Sequence, residues 1–157
     1  MLYIIHLCSF TAPNSFIGGG ASNVATGTYA TVAGGYGNRA TSYVAAVTGG
    51  QGCQVTAQFG AITGGFGNVV TANYGFVGGG SGNKVTANYG AVSGGQANTA
   101  AGEHSFAVGY SASAQDDRSG VFGFNSNGYV PRACVPICPS KPHISWMWIL
   151  HFAFSSL

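Results

Sequence analysis

Charge is the scarcest property of this chain. Of 157 residues, 5 are Lys or Arg and 3 are Asp or Glu, a charged fraction of 5% where a globular domain usually carries about 25%. Five scattered cations build no phosphate-binding stripe, so a nucleic-acid partner is not expected. Glu103, Asp116 and Asp117 are the only acids. They leave almost no way to pair carboxylates for acid–base chemistry, so the chain is not expected to be an enzyme. Proline is sparse too, with 5 residues, and glycine does not recur every third position, which excludes collagen. Disorder needs low hydrophobicity with high net charge; here hydrophobic residues make up 46% and the net charge is +2. The long apolar run that a membrane span requires, about 20 residues, is also missing: residues 144–154 are apolar and aromatic but too few.

Glycine is abundant, with 27 residues, and it is periodic. Gly pairs fall at Gly19-Gly20, Gly34-Gly35, Gly49-Gly50, Gly64-Gly65, Gly79-Gly80 and Gly94-Gly95, always 15 residues apart. Other columns keep the same phase. Asn23, Asn38, Asn68, Asn83 and Asn98 follow the pairs, with Cys53 as the exception; Thr26, Thr41, Thr56, Thr71 and Thr86 come next, then Ala101. Ile17, Val32, Val47, Ile62, Val77 and Val92 precede the pairs. A further column reads Asn14, Tyr29, Val44, Phe59, Tyr74, Tyr89 and His104. A fixed period of this kind is the mark of a stacked repeat architecture.

Each unit reads as strand, Gly-Gly corner, strand, corner. Glycine reaches positive φ without a Cβ clash, and Asn tolerates that region and bonds nearby backbone. Segments of about five residues between corners suit strands. Alternation then assigns faces. The Ile/Val column and the column Ala25, Ala40, Val55, Val70, Val85 and Ala100 are apolar throughout and form the expected core. The column Ser15, Ala30, Ala45, Gly60, Gly75 and Gly90 is always small, so the interior must be thin. Val24, Arg39, Gln54, Val69, Lys84 and Thr99 are mixed and hold two cations, so they face out, and the Thr column shares their parity. Stacking one unit per strand spacing, about 4.8 Å, predicts an all-β fold: a single-stack parallel β-solenoid of about six 15-residue coils over residues 14–115.

Small core columns bury little apolar area. The outward aromatics Phe16, Tyr29, Phe59, Tyr74, Phe76 and Tyr89 therefore read as a candidate oligomer face, because contiguous exposed apolar surface usually marks an interface. The alternative left open is that they sit at coil corners and stack only on each other.

The units SFIGGGASNVATGTYATVAGGYGNRAT and NYGFVGGGSGNKVTANYGAVSGGQANTAAGEHSFAVGYSASAQ resemble the head repeats of trimeric autotransporter adhesins, the YadA-like heads. Residues 105–114, SFAVGYSASA, match that family's S-x-A-x-G-x-x-A-x-A pattern. The longer G-G-x-x-N-x-x-T/S unit is also similar to repeats in tail-fibre-like proteins. The resemblance covers about two-thirds of the chain. It implies a left-handed β-roll, a homotrimer and adhesion at a cell surface, outside the cell. The family's neck, heptad stalk and membrane-anchor segment have no counterpart among these residues.

The flanks differ from the repeat. Residues 1–13 are an apolar cap or leader, without the basic start of a secretory signal. Residues 116–157 form a tail rich in Pro and aromatic residues, expected to be loosely packed over 119–157 or to cap the stack. Cys134 and Cys138 are spaced C-x3-C with His143 and His151 downstream; zinc motifs use other spacings, so a disulfide or free thiols are expected instead. A calcium β-roll needs an Asp in each turn, which is missing. Cys8 and Cys53 have no paired motif, and His104 beside Glu103 reads as a solvated corner residue. No metal or cofactor is expected.

The Thr ladder is the one surface feature with a possible role. It is read as high β-propensity on an exposed strand, otherwise as adhesion contacts, and least as an ice-binding plane, since Arg39 and Lys84 interrupt it. The expected function is a non-enzymatic structural and adhesive module contacting a surface protein or glycan. The alternative is a phage or viral tail-fibre segment binding a host surface.

Overall fold

The structure, a computed structural model, describes residues 8–123 and the backbone of one further strand, Ala133–Pro136. It is an all-β parallel solenoid of about seven turns, with no helix among the described residues. Each coil gives one strand to each of two sheets. The eight-stranded sheet runs from Ser9–Phe10 through Val24–Ala25 and its 15-residue equivalents to Ser113–Ala114. The nine-stranded sheet runs from Phe16–Ile17 through Thr31–Val32 and its equivalents to Phe106–Tyr110 and Ser119–Gly123, and then to Ala133–Pro136. Register follows the repeat: Ala61 pairs with Phe76 and Val55 with Val70. The last step shortens, so Thr99 pairs with Ser113 and Phe106 with Gly120. A third parallel column of single bridges links Ala21, Tyr36, Gln51, Phe66, Ser81 and Gln96.

Most strands are two residues long, shorter than the five expected, because corners crowd the coil. The second Gly of each pair has φ between 86° and 97°. An added Cβ at Gly65 would lie 2.0 Å from the Gly80 carbonyl oxygen. The residue before each Asn, and before Cys53 in the same column, is left-handed as well: Ser22, Gly37, Gly52, Gly67, Gly82 and Ala97. That placement corrects the expectation for Asn, which does not take the left-handed corner itself.

Asn instead points inward. Asn23, Asn38, Asn68, Asn83 and Asn98 are fully buried. Each Nδ2 donates to the carbonyls of two glycines, one in its own coil and one in the next: Asn68 to Gly64 at 2.8 Å and Gly80 at 3.0 Å, Asn83 to Gly79 at 2.8 Å and Gly95 at 3.0 Å. Each Oδ1 accepts the backbone N–H one coil on, as Asn68 Oδ1 does from Asn83 at 2.9 Å. Burying an unpaired amide costs free energy, and only a side chain with two donors and one acceptor at this length meets the demand. Asp has no donors, and Ser has one.

The apolar core matches the sequence reading. Val32, Val47, Ile62, Val77 and Val92 face Ala25, Ala40, Val55, Val70, Val85 and Ala100 across the interior, all buried. The two small columns compensate each other. Coils with Val55, Val70 or Val85 carry Gly60, Gly75 or Gly90 five residues later, whereas coils with Ala25 or Ala40 carry Ala30 or Ala45. A Cβ on Gly75 would lie 2.7 Å from Val70 Cγ1 and 2.9 Å from Val85 Cγ1.

The stack reaches past residues 14–115 on both sides. Ser9–Phe10 pairs with Val24–Ala25. Ser119–Gly123 pairs in parallel with Phe106–Gly109 and in antiparallel with Ala133–Pro136. Loose packing, expected over 119–157, does not hold for this strand: Ser119, Gly120, Val121 and Gly123 are buried. Covering the last parallel edge with an antiparallel strand removes a template for further pairing. The expectations for residues 1–7, 124–132 and 137–157 lie outside the described residues, as does the Cys134 side chain; these include Cys138, His143, Trp146, Trp148 and His151.

Cys53 interrupts the Asn ladder. It accepts nothing from the Asn68 N–H, and its thiol stands 3.6 Å from the Gly65 oxygen and 3.7 Å from that of Gly64. Cys53→Asn is expected to raise stability by about 1–2 kcal/mol, read as a higher denaturant midpoint; an unchanged or lower midpoint would show that the gap costs nothing. Gly75→Ala is expected to destabilise by about 1–3 kcal/mol. Val70→Ala should then cost less in the Gly75→Ala background than in the wild type, and additive losses in that double-mutant cycle would refute the compensation.

Candidate interaction surface

The solvent-facing residues form four surfaces of distinct chemistry. The outer face of the eight-stranded sheet carries Val24, Arg39, Gln54, Val69, Lys84 and Thr99, and beside them the Thr column. Thr56, Thr71 and Thr86 are exposed, and Thr26 and Thr41 half-buried. Their amides bond the neighbouring coil, for example Thr56 to the Val70 oxygen at 3.0 Å. Thr71 Oγ1 also donates to the Val85 oxygen at 3.3 Å.

The outer face of the nine-stranded sheet carries no charge from Phe16 to Val108. One column is Phe16, Thr31, Ala46, Ala61, Phe76, Ala91 and Phe106; the other is Gly18, Ala33, Thr48, Thr63, Gly78, Ser93 and Val108. Phe76 folds over the glycine two residues on, its Cε1 lying 3.5 Å from where a Gly78 Cβ would be, and Phe16 covers Gly18 in the same way at 3.3 Å. The two rings therefore lie along the sheet.

The third surface is a corner column. Asn14, Tyr29, Val44, Phe59, Tyr74, Tyr89, His104 and Arg118 all have φ between 53° and 60°. From Tyr29 to Arg118 each corner N–H reaches back to the preceding coil, as Tyr74 does to the Gln58 oxygen at 3.1 Å. Residues with a Cβ are strained there, β-branched ones most. The rings offset that strain by stacking at the coil spacing. Phe59 and Tyr74 have centroids 5.0 Å apart, Tyr74 and Tyr89 4.9 Å, and Tyr89 and His104 4.7 Å, with planes within 7° of parallel. Val44 has no ring, so the contact detours through Tyr43, edge-on to Tyr29 at 5.8 Å and to Phe59 at 5.5 Å.

The candidate oligomer face thus divides in two. Phe16 and Phe76 belong to the uncharged sheet face, whereas Phe59, Tyr74 and Tyr89 form a stacked ladder at the corner, with Tyr29 joined to it only edge-on through Tyr43. The fourth surface was missed in sequence: the ridge Ala21, Tyr36, Gln51, Phe66, Ser81 and Gln96. Tyr36 and Phe66 are 49% and 58% exposed. Its signal was present, because each position lies between the Gly pair and a left-handed residue, where side chains must point out.

Among the described residues, Cys8 and Cys53 are free thiols, no three His, Cys, Asp or Glu side chains gather into a metal-sized group, and no helix is long and apolar enough to cross a membrane. No protein-family model matches the chain, and no curated protein matches it.

The corner column allows one substitution to be compared at two sites. Val44→Asn is expected to stabilise by about 1 kcal/mol, since Asn suits φ near 53° and no stack is lost. Tyr74→Asn is expected to destabilise by about 1 kcal/mol, since it removes two stacked contacts. The same sign at both positions in thermal melts would show that stacking does not offset the corner strain.

Proposed function

We propose that this chain is a non-enzymatic structural and adhesive module: the head of a homotrimeric adhesin, working outside the cell as a rigid spacer that presents several copies of one contact surface. The observation that carries the reading is the uncharged face of the nine-stranded sheet, continuous along the rod from Phe16 to Val108 and bordered by the exposed corner ladder. An uncharged face of that extent, with Phe16 and Phe76 exposed on it, favours self-association.

The number of chains is what the resemblance to trimeric adhesin heads implies. Three copies of a weak site then gain avidity from effective concentration.

Light scattering of the purified chain at micromolar concentration is expected to give the mass of three chains. Phe76→Arg and Ala61→Arg, both on the uncharged face, are expected to release monomers with unchanged circular dichroism. A monomeric wild type would overturn the association, and trimers that survive both substitutions would move the interface elsewhere.

A further inference from the structure

The geometry points to a covalent modification site on the corner ladder. Tyr74 and Tyr89 are placed to be coupled into an intrachain dityrosine, a staple between successive coils, by a haem peroxidase supplied with hydrogen peroxide. This goes beyond the adhesive reading and stands without it. The two rings have centroids 4.9 Å apart and planes 2° from parallel. Their outer neighbours in the stack are Phe59, 5.0 Å from Tyr74, and His104, 4.7 Å from Tyr89, and neither is a phenol. The stack therefore holds one face-to-face pair of phenols, with a ring packed on each outer side. Tyr29 and Tyr43 are phenols too, but their planes stand at 87° with centroids 5.8 Å apart, so the edge of one meets the face of the other.

The backbone holds the pair in place. Tyr74 and Tyr89 have φ of 59° and 58°, and their N–H groups donate to the Gln58 and Asn73 oxygens at 3.1 and 3.0 Å. Their Cα atoms thus sit one coil apart, about 4.8 Å. Each residue is 48% exposed, so an oxidant reaches the rings from solvent and their outer edges have room to move.

The chemistry needs that overlap. Each phenol gives up one electron and its hydroxyl proton and becomes a phenoxyl radical, with spin on the ring carbons ortho to the oxygen. In a stacked pair the orbitals at these carbons point across the gap, and a bond forms between one ortho carbon of each ring. Each of those carbons then loses its hydrogen as a proton while the oxygen regains one, which restores both aromatic phenols. One C–C bond forms and two C–H bonds break. The two electrons and two protons released reduce one hydrogen peroxide to two waters. Holding the rings together makes the coupling effectively unimolecular; the edge-on pair lacks the overlap. Among the described residues no covalent bond joins one coil to another, since Cys8 and Cys53 are free thiols. A link from residue 74 to residue 89 closes a loop of one repeat and constrains the unfolded chain as a disulfide does.

The test is to treat the full chain with a haem peroxidase and limiting hydrogen peroxide, cut it with trypsin and sequence the products by mass spectrometry. Cleavage after Arg39, Lys84 and Arg118 puts Tyr74 in the peptide of residues 40–84 and Tyr89 in that of residues 85–118. These two peptides are expected to be joined through Tyr74 and Tyr89, lighter than their sum by two hydrogen atoms, with dityrosine fluorescence and a higher denaturant midpoint for the treated chain. Tyr74→Phe and Tyr89→Phe keep a ring in the stack and remove one phenol. Each is expected to lose the joined peptide and the midpoint shift. A mixture of isotope-labelled and unlabelled chains is expected to give no product of mixed mass. A wild type without the Tyr74–Tyr89 link, or a Tyr29–Tyr43 link formed as readily, would overturn the site. A Tyr74–Tyr89 product that mixes the isotopes would place the bond between chains and overturn the staple.

Discussion

The buried side-chain amide of the Asn column sets the width of the rod. A coil of 15 residues turns so tightly that its Gly-Gly carbonyls are drawn away from water at the corner. Two of those carbonyls and one backbone N–H per coil are then satisfied by a single Asn, as Asn68 is bonded to Gly64, Gly80 and the Asn83 amide. The Asn must reach all three, so the interior can be only about one side chain thick. That limit explains the rest of the core: Val opposite Gly and Ala opposite Ala, with no room for Leu, Phe or Met.

A thin interior puts the larger apolar groups outside. In a thicker fold the aromatics would fill the core. Here the rings of Phe16, Tyr36, Phe66 and Phe76 have nowhere inward to go, and those at the corner lie on one another at the coil spacing. Stacking is possible because equivalent residues recur on successive coils at nearly the separation of two parallel rings. The corner shows the balance of forces. The backbone there favours Gly or Asn, yet most coils carry a ring, and the one coil with Val44 breaks the stack. Surface chemistry thus follows from core thickness, and the proposed adhesive role follows from the surface.

The two ends are treated differently from the middle. Between coils the parallel ladders leave few backbone groups without partners. At the last coil the antiparallel strand Ala133–Pro136 takes the edge of Ser119–Gly123. Repeat stacks need terminal elements of distinct character, and the change of composition after residue 115 marks this one.

Much of this was legible in the chain alone. The 15-residue step, the inward Ile/Val and Ala/Val columns and the outward Thr column follow from period and alternation, since strand geometry carries them directly. Alternation fails wherever the backbone leaves the extended region, and there only the tertiary structure decided. Asn98 shares the inward face of Ala100 by alternation, but only the structure showed that the left-handed position falls one residue earlier, on Ala97, and that the inward amides bond from coil to coil. Of the two readings open for Tyr74 and Tyr89, it chose the corner, where they stack face to face. It also raised Tyr36 and Phe66 onto a ridge of their own, since a residue held between two tight turns must point out whatever its parity. The repeat determined which residues lie above one another; the φ angles of three left-handed residues per coil determined which way each of them faces.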